Sequence, residues 1–309
     1  MKSFAPIALL CISTSFLCSC GSDTDAPPPL VGSAQASSGP AHAAYLKAQS
    51  ADQAGNAKKA VKLYKEMADQ YPTSQDAPQA RFRQAQLHEQ MGDMVEAFDA
   101  YNDVTKRYQG SKLYSQSLSR ESAIAQQALD GNVKTGFMFG SKLETKKLVE
   151  MLEKVRDAAP QAASAPKAQF QIGEVYQNNG KATDSILAYR KVVSDWPDSP
   201  QAPEAQYRIG VILIEEAKRG NQDMGNLDRA REAFQDYLTI YPNGSRAGAA
   251  RNQIASLANQ DVQRSLEVAD FYRRKGDYES ARFYYREVLK KHSSGSLHDK
   301  AQAGLKSLE

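Results

Sequence analysis

Apolar residues recur at helical spacing along most of the chain. Tyr45, Ala48 and Ala51 keep that spacing, and Val61, Tyr64, Met67 and Ala68 resume it after a glycine. The two runs predict a pair of helices joined at Gly55, where a left-handed residue suits the end of the first helix. Pro72 then stops the second helix and turns the chain. The set Gly55, Ala60, Tyr64, Pro72, Ser74 returns 37 residues later as Gly92, Ala97, Tyr101, Gln109, Ser111. It returns again at Gly180, Ser185, Tyr189, Pro197 and Ser199, at Ala230, Phe234 and Pro242, and at Gly276, Ala281 and Tyr285. A period of this length predicts stacked helical hairpins, an all-α solenoid of about five repeats, rather than one globular core. The small residue marks a close helix crossing, and the aromatic residue four positions later is expected to wedge into the next repeat.

The third unit breaks the pattern. It predicts a helix over 113–129, a loop over 131–141 and a second helix over 143–158, with Leu148, Met151, Leu152 and Val155 inward and Pro160 as the stop. Within the loop, Phe137-Met138-Phe139 between Gly136 and Gly140 forms an apolar tip. That tip either docks a partner or lipid, or folds back over the third repeat. A longer connection is expected between the fifth pair of helices, over 219–226. An extra helix over 246–258 precedes the last unit, and a short helix over 297–308 caps the end, where a terminal repeat must cover its apolar face.

The front of the chain is of another kind. Met1-Lys2 supplies a positive start, residues 5–17 are apolar, and small residues follow. This reads as a secretory signal, too short to span a bilayer. Leu17-Cys18-Ser19-Cys20-Gly21 resembles a bacterial lipobox, which implies a signal over 1–19, cleavage before Cys20 and acylation of that cysteine. Two or more acyl chains anchor stably, at roughly 0.8 kcal/mol per buried CH₂. Cys11 and Cys18 would leave with the signal, so no thiol remains for a disulfide. Glycine rather than aspartate after Cys20 favours, by resemblance to Gram-negative lipoprotein sorting, the outer membrane. The lipidated cysteine and a Pro-, Ser- and Gly-rich stretch make up a tether over 20–40, and the repeat domain occupies 41–309.

Charge narrows the function. The chain has 39 Lys and Arg against 36 Asp and Glu, and losing Lys2 with the signal lowers the net charge from +3 to +2. Such a mixed surface lacks the basic stripe of a nucleic-acid binder. His42, His88, His292 and His298 are scattered without metal-ligand spacing, and no phosphate loop, nucleophile elbow or paired acid site stands out. No enzymatic role and no cofactor are expected.

The small-x-x-x-Gly turns, the second-helix alanines, the aromatic residue and the proline resemble tetratricopeptide repeats. With the lipobox, Tyr241-Pro-Asn-Gly-Ser245 and Leu266-Glu-Val-Ala-Asp-Phe-Tyr-Arg-Arg-Lys-Gly-Asp-Tyr278, the chain resembles the BamD family of β-barrel assembly lipoproteins over roughly 41–292. That resemblance implies an outer-membrane scaffold on the periplasmic face, bound to a BamA-like barrel insertase and other assembly subunits, and receiving unfolded outer-membrane protein segments. A pilotin-like or Tol/cell-wall-associated adaptor lipoprotein would share the fold. The repeat family further implies that the fifth position of each first helix faces the concave groove. Those positions are Tyr45, Phe82, Phe170 and Tyr207, with Leu266 in the last unit. Rings there either contact a peptide or pack between neighbouring first helices. Gln86, Glu89, Glu174 and Gln177 share that face. Family members carry a partner-pairing arginine in the final repeat; Tyr284 stands at that place here, with Arg282 and Arg286 beside it.

Overall fold

The computed structural model describes residues 36–135, 141–219 and 224–309. The signal, Cys20, the tether up to residue 35, the Phe137-Met138-Phe139 tip and residues 220–223 lie outside the described residues. Helix α1 (Gly39–Gln53) starts two residues ahead of the expected domain boundary. Ser38 caps it by accepting from the Ala41 N–H, and Pro40 sits in the first turn, where its missing N–H costs nothing.

Hairpins follow in order. The first is α1 with α2 (Ala57–Gln70), the second α3 (Ala77–Met91) with α4 (Met94–Arg107). The irregular third pairs α5 (Tyr114–Leu129) with α6 (Thr145–Ala158). Then come α7 (Ser164–Asn178) with α8 (Ala182–Asp195), α9 (Ala202–Arg219) with α10 (Met224–Ile240), and α11 (Ala247–Lys275) with α12 (Tyr278–Lys291). Helix α13 (Ser296–Lys306) closes the stack against α12 and α11. Each helix packs on its neighbours in sequence, so the apolar core runs along the stack as a chain of clusters.

The turn glycines do what the pattern requires. Gly92 and Gly276 end α3 and α11 at φ +84° and +78°, the left-handed region that side chains disfavour. Ala60, Ala97, Ala230 and Ala281 are fully buried. In the fourth hairpin Ser185 takes this place, and its hydroxyl donates to the Gly173 carbonyl at 2.8 Å.

The aromatic residues serve two contacts. Tyr64, Tyr101 and Tyr189 are buried in the crossing of their own hairpin, while Tyr189 also accepts from Arg208 of the next hairpin at 3.0 Å and Tyr285 meets the next helix at Gly304. Each of the first three donates its hydroxyl to a side chain twelve residues back: Tyr64 to Asp52, Tyr101 to Glu89, Tyr189 to Gln177. Close approach makes this geometry possible. A Cβ at Gly173 would lie 2.5 Å from the Tyr189 ring, and one at Gly210 would lie 2.6 Å from Phe234. The Trp-Pro and Tyr-Pro turns also join neighbouring units: Trp196 donates to the Pro160 carbonyl at 2.9 Å and Tyr241 to the Pro197 carbonyl at 3.2 Å.

Three further expectations change. The loop after α5 is pinned at its base by the two-residue strands β1 (Lys134–Thr135) and β2 (Ser141–Lys142), paired antiparallel, with Val133 and Leu143 buried beside them. Helix α10 begins at Met224, so the connection before it is shorter than 219–226. The extra helix over 246–258 is the first half of α11, which runs unbroken for 29 residues. Ala250 and Leu257 bury its first half against the fifth hairpin, and Val262, Leu266 and Ala269 bury its second half against the last.

Candidate partner-binding faces

The fifth-position residues line up as one row, and the structure gives each of them a ring or core neighbour. Tyr45 is half-buried, 5.8 Å from the Tyr64 ring. Phe82 is buried to 8% exposure against Tyr101 at 5.4 Å. Phe170 and Tyr207 are half-buried, at 5.2 Å from Tyr189 and 5.4 Å from Phe234. Leu266 is in the core. These pairings are tilted or edge-on, the geometry ring quadrupoles favour.

Arginines in, or immediately before, the following first helix cover two of the rings. Arg208 lies 4.9 Å above Phe170, and Arg246 lies 5.4 Å above Tyr207. Both belong to charge clamps between first helices. Arg208 bonds Glu174 at 3.0 Å and Glu204 at 3.2 Å, and Arg246 bonds Glu204 at 2.7 Å. Burial pushes the Glu204 carboxyl up, yet the two arginines hold it below its ordinary range. Towards the N-terminal end Arg83 grips both oxygens of Asp52, at 2.7 and 3.0 Å. That hydrogen bonding lowers the Asp52 pKa. Arg120 grips Glu89 in the same two-pronged way. Burial raises Tyr189, beneath the row, to about 12, so its hydroxyl stays a neutral donor at ordinary pH. Gln86 is half-exposed beside Arg83, whose Nη1 donates to its Oε1 at 3.2 Å. Gln177 accepts from Tyr189.

The second face lies on the last hairpin. Tyr284 stacks flat on Tyr272, with ring centres 5.7 Å apart. Phe271 and Phe283 flank them, 45% and 60% exposed, and Lys275 sits 5.2 Å over Phe271. Arg282 donates to the Leu308 carbonyl at 2.6 Å and so ties α12 to the C-terminal end. Arg286 is exposed, with no hydrogen bond or ion pair among the described residues. The aromatic strip was not anticipated; its sequence signal is the pair of Phe-Tyr doublets at 271–272 and 283–284.

The matched family decides what kind of protein carries these faces. A family described as "YfiO: Outer membrane lipoprotein" matches residues 140–305, more than half of the chain. The chain belongs to this outer membrane lipoprotein family. A tetratricopeptide repeat family matches residues 45–112, the first two hairpins. The outer membrane lipoprotein match spans α6 to α13, so the α11–α12 strip falls wholly inside it. No curated protein matches the chain.

Among solved structures the chain is similar to a tetratricopeptide repeat protein from Bacteroides fragilis, at 15% identity, covering 70% of this chain and 98% of that one, with a TM-score of 0.43. It is also similar to the P58(IPK) TPR domain, at 15% identity over 87% and 78%, with a TM-score of 0.34. Among the described residues no group of His, Cys, Asp and Glu is placed to hold a metal ion. No helix there is long and apolar enough to cross a membrane. Repeat scaffolds of this kind are in general protein-interaction modules rather than enzymes.

Proposed function

We propose that this outer membrane lipoprotein serves β-barrel assembly as a scaffold on the periplasmic face. Acylated Cys20 anchors it, the tether lets the solenoid stand off the bilayer, the C-terminal hairpin holds a BamA-like insertase, and the concave groove receives unfolded outer-membrane protein segments. The observation that carries this reading is the family match over 140–305, which takes in the whole C-terminal half of the stack. The physical work is positioning. Two partners held on one anchored body meet at an effective concentration far above their free one. Of the two arginines beside Tyr284, Arg286 is the one left for a partner, since Arg282 is engaged by Leu308.

The test is recovery of the tagged, acylated chain from its own envelope in gentle detergent, followed by mass spectrometry. A large β-barrel protein with periplasmic repeat domains, recovered at near-stoichiometric level, is the expected outcome. Recovery of a secretin, or of Tol and cell-wall components in its place, overturns the assembly role.

A further inference from the structure

We infer that the first two hairpins carry two copies of one electroneutral subsite, which binds the main chain of an extended, uncharged polypeptide through glutamine amides. The inference rests on the reading that the concave groove receives polypeptide, and it names the chemistry of that reception.

Two open concavities lie side by side along the first helices, about 400 and 600 Å³ in volume. The first is lined by Tyr45, Gln49, Asp52, Tyr64, Gln79 and Arg83. The second is lined by Phe82, Gln86, Glu89, Tyr101, Gln116 and Arg120. These six residues of the second stand 37 positions after their counterparts in the first, while Gln53 lines the first alone and Ser115 and Ser119 the second alone. The chain has thus repeated a six-residue side-chain constellation, with Phe82 for Tyr45 and Glu89 for Asp52, not just a helix pattern.

Within each cup the charges cancel. Arg83 holds Asp52 with two bonds, and Arg120 holds Glu89 likewise. The tyrosine hydroxyls point into the same carboxylates. Neither a phosphate nor an acidic peptide finds an uncommitted cation here. What remains to face a ligand is amide. Gln49, Gln79 and Gln116 make no hydrogen bond among the described residues, and Gln79 and Gln116 are exposed. Each offers N–H donors and a carbonyl acceptor, and so can pair with both the N–H and the C=O of a peptide group. Gln86 gives its Oε1 to Arg83, which ties the first cup to the second. The ring at the floor of each cup supplies flat contact area without selecting a charge.

The fourth hairpin carries the contrasting case. At the matching positions stand Phe170, Glu174, Gln177, Tyr189, Glu204 and Arg208, so glutamate replaces both outward glutamines. Arg208 bonds Glu174, Glu204 and the Tyr189 hydroxyl and lies over Phe170, which fills the cup. In the third hairpin Ser119 takes the fifth position, and this small residue with Ser115 opens the second cup.

The test is calorimetric titration of the acylated full chain, in mild detergent, with an acetylated and amidated twelve-residue peptide of alternating tyrosine and threonine. Fully extended it spans about 40 Å, enough to lie across both cups. Gln49→Ala with Gln79→Ala empties one cup, and Gln86→Ala with Gln116→Ala empties the other; these side chains are exposed or half-exposed, and circular dichroism checks the fold. Each pair is expected to weaken binding roughly tenfold and all four together about a hundredfold, as two lost hydrogen bonds per cup imply. Raising salt from about 50 to 500 mM should change affinity less than about twofold, since no net charge is neutralised. A peptide N-methylated throughout should not bind. Unchanged affinity in the four-glutamine variant, or a steep fall with salt, overturns the amide subsites while leaving the groove as a polypeptide site. No binding by the unaltered chain overturns both.

Discussion

Replacing Glu121 by glutamine should make the protein more stable at neutral and alkaline pH and leave it unchanged in acid. Glu121 on α5 is the one fully buried acid among the described residues. Thr105 and Asn102 reach it from α4, at 2.6 and 3.4 Å, and Lys154 of α6 and Asp99 of α4 act on it through space. Burial pushes its pKa up to about 7, from an ordinary 4.5, against the opposing pull of the Thr105 and Asn102 hydrogen bonds and of Lys154. The local bonding fits a protonated carboxyl. The Thr105 hydroxyl lies within reach of both Glu121 Oε1 and the Asn102 carbonyl, yet it has a single hydrogen. A protonated Glu121 donating to the Thr105 oxygen leaves that hydrogen for Asn102, and every group is satisfied.

The sign follows from proton linkage. The folded state holds this proton more tightly than the unfolded one. The stabilising effect of protonation is therefore fully present below about pH 4.5 and is lost as pH rises through about 7. The gap between the two pKa values corresponds to about 3 kcal/mol of cost once Glu121 ionises. Glu121→Gln keeps the shape and the donor and removes the charge. Urea unfolding followed by circular dichroism should give equal midpoints for wild type and variant near pH 4.5. At pH 8 the variant midpoint should lie about 1 M higher, taking a slope of about 3 kcal/mol per molar. A difference that does not depend on pH, or a wild type more stable at pH 8, refutes the argument.

Four other outcomes follow from the same coordinates. Gly173→Ala and Gly210→Ala should each cost about 1–3 kcal/mol in urea unfolding, because the new Cβ meets the Tyr189 or Phe234 ring, whereas Gly248→Ala, with open space around it, should be neutral or stabilising by up to ~1 kcal/mol. Phe82→Ala should weaken peptide binding in a fluorescence titration, whereas Phe170→Ala, whose ring Arg208 covers, should not, and unchanged affinity in Phe82→Ala would remove that ring from the groove; Phe82 is buried, so its loss should also cost about 3–5 kcal/mol of stability. Phe271→Ala with Phe283→Ala should leave the unfolding free energy within about 0.5 kcal/mol, since both side chains are exposed, yet reduce recovery of the insertase in the detergent pull-down. Cys20→Ser should release the protein from washed envelopes into the soluble fraction, and retention would argue against acylation at that residue.

What the sequence showed, it showed through period. The left-handed glycines, the buried Ala60 and Ala97, and the inward Leu148, Met151, Leu152 and Val155 of α6 were all legible, because each sits where one helical turn must face another. Continuity was harder to read. Asn259, Gln260 and Asp261 look like a polar break, but with no glycine or proline among them α11 runs on across two core clusters. Pairings between units left the least trace. The fifth-position rings follow from the repeat register, but whether a ring is open depends on a residue in the next first helix. Where an arginine there is engaged by a carboxylate on its own side, as Arg83 is by Asp52, the ring edge and its glutamines stay available. Where glutamine takes that carboxylate's place, as Gln177 does, and the arginine meets Glu174 and Glu204 in its stead, as Arg208 does, it folds over the ring and closes it. Three differences at matching positions, glutamine to glutamate at 174 and 204 and carboxylate to glutamine at 177, thus change a cup that can receive a main chain into one that is internally filled. The solenoid is built from one repeated unit, but a concave face that reads polypeptide at one end and stays sealed further on follows from charges that repeat imperfectly, not from the helices that repeat well.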